Sequence, residues 1–181
     1  WDSACDETGG RGLGHWWYTA IGGASNSGKT KLMLHLIRRA TEAGLVPGLI
    51  TMEVPTRGLQ RQVYSNITSF GYFDLLPVRF DDGDGMRKVD ELTADVSAYR
   101  QSGGGGLRSI LVAEQDGPPT LASIMTTCEA MVEAGCQCLF LDHLQLIKAP
   151  ADQVADRATE VSEALRYFAH SQKVLVVALS Q

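Results

Sequence analysis

Residues Gly23-Ala24-Ser25-Asn26-Ser27-Gly28-Lys29-Thr30 follow the pattern G-x-x-x-x-G-K-[ST], the spacing of a loop that wraps phosphate. The glycines let the backbone turn tightly and approach an anion with no Cβ in the way. Successive N–H groups then point into one concavity, at the positive end of the helix that follows. In such a loop Lys29 reaches the β- and γ-phosphates as a point charge, and the Thr30 hydroxyl ligates Mg²⁺. The flanks agree. An apolar run, Trp17–Ile21, precedes the loop, and Lys31–Ala43 follows it with Leu32, Leu36, Ile37 and Ala40 at helical spacing. A Gly-rich turn before an ordinary helix is the bland alternative. The context favours a nucleoside triphosphate site, with ATP and Mg²⁺ as its ligands.

Three more polar residues stand where apolar runs stop. Leu139-Phe140-Leu141 ends at Asp142, the form of a carboxylate that holds Mg²⁺ through water. Gly48–Met52 ends at Glu53, which is placed to orient and deprotonate the water attacking a γ-phosphate. Taken alone, Glu53 reads first as a helix-start carboxylate beside Thr56, favoured by the dipole. Val174–Leu179 ends at Ser180-Gln181; the Gln181 amide is a candidate γ-phosphate contact, or else a solvated strand end.

Bringing these residues together needs a sheet. The runs at Trp17–Ile21, Gly48–Met52, Ser109–Ala113, Cys138–Leu141 and Val174–Leu179 are short and apolar throughout. Helical patterns separate them. The first is Lys31–Ala43, and the second, after Pro55-Thr56, carries Leu59, Val63, Ile67 and Phe70. A third carries Met86, Val89, Leu92, Val96 and Tyr99, an amphipathic pattern that suits the edge of the domain. A fourth starts at Pro118-Pro119-Thr120, carries Leu121, Ile124, Cys128 and Val132, and closes at Gly135; a fifth carries Val154, Val161, Leu165 and Phe168. Apolar strands alternating with amphipathic helices predict an α/β, three-layer fold with a parallel sheet covered on both faces. Ligands of such sheets bind at the carboxyl ends of the strands. Phe73–Phe80 reads as a strand or an irregular connection broken by Pro77, and Gly103–Gly106 as a flexible loop inside one domain.

The 181 residues suit one domain with a proper core. A net charge of −5 argues against coating nucleic acid non-specifically, without excluding a local basic groove. No apolar run approaches the ~18 residues that span a bilayer, and no signal peptide is visible, so no membrane partner is expected. The start at Trp1, without methionine, reads as a fragment. Cys5, Cys128, Cys136 and Cys138 lack metal-ligand spacing and read as small buried hydrophobes of a reducing cytosol. In an intracellular protein the sequon Asn66-Ile67-Thr68 carries no weight.

The segments GGASNSGKT, TMEVP around Glu53, LFLDHLQLI around Asp142 and VVALSQ at the end resemble the four nucleotide-site motifs of DnaB-type replicative helicases, within the wider RecA-like ATPases. They come in the family's order from Gly9-Gly10 to Gln181. The signature D-x-L-Q-L (Asp142, Leu144, Gln145, Leu146) and the closing A-L-S-Q are fairly specific, and Arg157, Val161-Ser162 and Leu165-Arg166 add to the likeness. The resemblance implies a P-loop NTPase with a RecA-like core. It implies a homo-hexameric ring of a bacterial or phage-infected cytoplasm that hydrolyses ATP at subunit interfaces and moves along single-stranded DNA. Primase or a helicase loader would be further partners of the full-length protein. Lys29 and Thr30 would take phosphate and Mg²⁺, Glu53 would be the catalytic base, Asp142 would hold Mg²⁺, and Gln181 would sense the γ-phosphate.

The chain also departs from the pattern. His143 stands where the family carries Tyr, and reads as a packing residue before a proton carrier. The family's core continues beyond Gln181 with a DNA-binding loop and an arginine finger, and its N-terminal helical domain is not represented. Residues 1–181 are therefore expected to be a single RecA-like ATPase domain truncated after the strand ending at Gln181. Lys148–Arg157, with little basic charge, is the DNA-facing candidate that remains. Two other readings stay open: a recombinase or clock-type ATPase that remodels without unwinding, and a non-hydrolysing nucleotide switch.

Overall fold

Strands β2 (Pro47–Thr51) and β4 (Cys138–Asp142) are buried at every position, as apolar side chains on both faces of a strand require. They belong to one parallel sheet with β1 (Tyr18–Gly22), β3 (Leu111–Glu114) and β5 (Leu175–Ser180), in the order β1-β5-β4-β2-β3. The computed structural model describes residues 16–52, 110–114, 119–149 and 154–181, with isolated helical positions at 58, 62, 65, 91, 93–95 and 97–98.

Helix α1 (Lys29–Glu42) covers one face of the sheet, and α2 (Leu121–Glu133) and α3 (Val154–Gln172) cover the other. The strands feed both cores by simple alternation. Cys138 and Phe140 of β4 and Val177 and Leu179 of β5 pack with Met33 and Ile37 of α1. Leu139, Leu141, Val176 and Ala178 turn the other way, onto Ile124, Val161 and Leu165. This is the three-layer α/β arrangement predicted from the apolar strands.

The helix ends follow local chemistry. Thr120 accepts from the Ser123 N–H at 3.1 Å while its own N–H donates to Ser123 Oγ at 3.0 Å, a reciprocal cap that starts α2. After α2, Gly135 takes φ 98° and Cys136 N–H returns to the Met131 carbonyl at 2.9 Å, the left-handed ending that suits glycine. Strand limits differ from the expected ones by a residue or two; β3, for instance, runs Leu111–Glu114. Leu32 is 46% exposed because the buried face of α1 centres on Met33 and Ile37.

Of the second and third helical patterns, Gly58, Gln62, Ser65, Glu91, Thr93, Ala94, Asp95, Ser97 and Ala98 are helical. The remainder of both patterns lies outside the described residues, as do Cys5, Glu53, the sequon, Phe73–Phe80 and Gly103–Gly106.

Candidate nucleotide-binding site

The loop from Gly23 to Gly28 leaves β1 and delivers the chain into α1. Asn26 (φ 60°) and Gly28 (φ 90°) are both left-handed, and Gly28 caps the helix. A Cβ on Gly23 would lie 2.9 Å from Ser27 Oγ, so a larger residue there would push the Ser27 hydroxyl aside. The Lys29 ammonium lies across this loop, donating to the carbonyls of Gly23 at 2.6 Å and Ala24 at 2.8 Å. A phosphate oxygen is a charged acceptor and makes a shorter, stronger bond than a neutral carbonyl. The ammonium can therefore exchange these partners for a polyphosphate.

The neighbouring strands complete the site. The Thr30 hydroxyl donates to Asp142 Oδ2 at 3.0 Å, and Asp142 is 4% exposed. These two oxygens are hard donors of the kind that Mg²⁺ takes together with phosphate oxygens and water, so the residues present fit the ion. Ser25 Oγ donates to Gln181 Oε1 at 3.2 Å. A cleft of about 390 Å³ lies over Ser25–Thr30 and is walled by Lys31, Gln62, Asp142 and Gln181, a volume within the usual range of small-molecule sites.

The structure thus brings together Gly23, Ala24, Ser25, Asn26, Ser27, Gly28, Lys29, Thr30, Asp142 and Gln181. Glu53 lies outside the described residues. The chain does leave β2 beside Asp142, where Thr51 pairs in register with Asp142 and the Met52 N–H donates to the Asp142 carbonyl at 3.1 Å. His143 is buried, its Nδ1 3.7 Å from Asp142 Oδ1, too long for a hydrogen bond. The stretch Lys148–Arg157 is described at its two ends, residues 148–149 and 154–157.

Two contributors escaped the sequence reading. Gln62 reaches the cleft from the helix after Glu53, and a polar residue on an amphipathic helix carries no signal of its own. Gln145 was legible as part of a signature but not as a structural link: its Nε2 donates to Ser180 Oγ at 2.7 Å and to the Gln181 carbonyl at 2.9 Å.

The cysteines behave as their setting dictates. Burial, with the Glu129 charge adding to it, pushes the Cys128 thiol up to about 12. Burial and the nearby Cys136 push Cys138 up to about 12 as well. Among the described residues no cluster of His, Cys, Asp and Glu could hold a metal ion by itself, and no helix is long and apolar enough to cross a membrane.

A phosphate loop at the carboxyl end of a parallel sheet, with the Asp142 strand separated from the loop's strand by β5, defines a P-loop NTPase of the RecA-like class. Residues 8–181 match the family described as the DnaB-like helicase C terminal domain, and the chain belongs to that family. Two solved structures are similar in fold. One is a DnaB-like replicative helicase studied with its interactions with primase, at TM-score 0.75 and 18% identity, covering 97% of this chain and 42% of that one. The other is the ATPase domain of a second protein, at TM-score 0.76 and 18% identity, covering 94% of this chain and 58% of that one. The chain therefore spans roughly half the length of these two solved chains. The comparison with curated proteins finds no match.

Proposed function

We propose that this chain is the motor domain of a DnaB-like replicative helicase, one RecA-like domain that hydrolyses ATP within a homo-hexameric ring and moves along single-stranded DNA in the cytoplasm. The observation that carries the reading is the 3.0 Å hydrogen bond between Thr30 and Asp142, residues 112 positions apart. It unites the phosphate loop with the strand-end carboxylate at one cleft.

Each residue then has a task. Lys29 leaves the loop carbonyls and neutralises the β- and γ-phosphates, and the loop N–H groups hold their oxygens. Thr30 and Asp142 would hold Mg²⁺, which when bound would supply positive charge to offset that of the polyphosphate. Glu53 takes the proton from a water whose oxygen bonds to the γ-phosphorus, as the β–γ bridging oxygen leaves with ADP. Gln181 touches the γ-phosphate through its amide. As the family resemblance implies, we assign the transition-state cation to a neighbouring subunit, as in systems where it is worth ~10³–10⁵ in rate. Primase or a loader, where it binds, engages the full-length protein.

The test uses the full-length protein. Mg²⁺–ATP turnover should rise with single-stranded DNA, a forked duplex should be unwound, and Lys29→Ala should lose both nucleotide binding and turnover. Lys29-dependent binding with no turnover would identify a nucleotide switch instead. Turnover without unwinding would point to a recombinase-like or remodelling ATPase.

A further inference from the structure

Gln181 meets Ser25 of the phosphate loop through its side chain, just past the point where β5 stops pairing with β4. The β4–β5 register runs from Cys138↔Leu175 to Leu141↔Ala178, so ladder pairing on that side stops before Ser180. On the other side, Gly22 pairs with Ser180 and the Gly23 N–H donates to the Ser180 carbonyl at 3.2 Å. The end of β5 is therefore tied to the loop but has left β4.

Gln145 replaces the missing pairing. Its Nε2 makes both bonds to this segment, to Ser180 Oγ and to the Gln181 carbonyl. A carbonyl can only accept, so the amide must present its nitrogen here. Gln145 itself sits on a fixed base. It belongs to the 3₁₀ turn Leu144–Leu146, which starts one residue after β4, beyond His143. Two residues past that turn the chain is clamped to the start of α2: the Lys148 N–H donates to the Pro119 carbonyl at 2.8 Å, and the Leu121 N–H donates to the Lys148 carbonyl at 2.9 Å. A side chain on a short turn between two anchored segments, β4 and Lys148, is a firm reference point for the segment it grips.

We propose that Gln145 is the positioning residue for Gln181. It holds the end of β5 so that the Gln181 side chain faces Ser25 and the phosphate loop, and it sets the rate of hydrolysis without touching nucleotide. This rests on the reading of the cleft as an ATP-hydrolysing site. The link also joins the γ-phosphate contact to the Lys148 clamp, so a shift at Gln181 reaches the start of α2 through one side chain.

The experiment measures single-turnover ATP hydrolysis and fluorescent-nucleotide binding in the full-length protein. Gln145→Glu keeps the shape but removes both donated bonds, and Gln145→Met removes them without adding charge. Each should slow hydrolysis by about 10–100-fold, the scale of an ångström-level misplacement, while nucleotide affinity and thermal midpoint stay near parental. In a Gln181→Ala background the same changes should add almost nothing, because the residue they displace is gone. An equal fold-loss in both backgrounds, or a parental rate in Gln145→Met, overturns the assignment. Absence of hydrolysis by the parental protein would instead overturn the ATPase reading beneath it.

Discussion

Cys138 opens β4 fully buried, and Asp142 closes the same strand 4% exposed. Burial is nearly equal and the chemistry is opposite. At the amino end Cys138 packs among Met33, Leu36 and Ile37, and on the other face of the sheet a Cβ on Gly48 would meet Met131 Sδ and Leu139 Cδ2, each at 2.8 Å. These apolar neighbours cannot compensate a charge, so the thiols stay protonated far into the alkaline range. At the carboxyl end the Thr30 hydroxyl and a polar cleft meet Asp142. Burial alone therefore says little about a polar residue's role; what meets it there decides.

The contrast between the two ends can be broken at either one, most strongly at the cleft. Glu53→Gln, in the full-length protein, should leave ATP binding intact and slow the chemical step by roughly 10²–10⁴, as read by single-turnover hydrolysis beside a nucleotide titration. A parental rate would remove Glu53 from the site. Asp142→Asn keeps an oxygen for the Thr30 hydroxyl but loses the charge, and should weaken metal affinity by about 10–100-fold if the ion is held through water. Raising Mg²⁺ should then recover much of the turnover, a rescue that Glu53→Gln cannot show.

At the amino end the effects should fall on stability. Gly48→Ala should destabilise by about 1–3 kcal/mol through overpacking, measured by urea denaturation, with turnover per folded molecule unchanged. A loss of turnover that exceeds the loss of folded protein would mean that the two ends of the sheet are mechanically coupled. The smallest effect is the pH response of Cys128 and Cys138. Their folded values are raised to about 12 from an ordinary 9.0, so the folded state holds these protons more tightly than the unfolded chain. The associated stability is complete below pH 9.0 and is lost as pH climbs from there through about 12. A urea midpoint that stays flat over that window would show the thiols to be more exposed than they are here.

Much of this was legible before the fold. The loop Gly23–Thr30 declares itself because its shape is local: glycines, lysine and threonine at fixed spacing form it within one turn and the first residues of a helix. The apolar runs declared a doubly covered sheet because both faces of β2 and β4 need apolar partners. Asp142 and Gln181 stood out as polar ends of such runs. Leu32 shows the limit, since helical spacing identifies a stripe but not where its edge meets solvent.

Long-range pairing was the part that residues in order could not supply. Only the folded sheet inserts β5 between β1 and β4, and that insertion sets Gln181 against Ser25 and Thr30 against Asp142. The same packing turned Gln145 from a letter in a signature into the brace of a strand end, and brought Gln62 to the cleft wall. Local spacing specifies a motif because its parts are joined by a few covalent bonds. Contacts across 112 residues are chosen by which apolar faces bury best, and that choice belongs to the whole core.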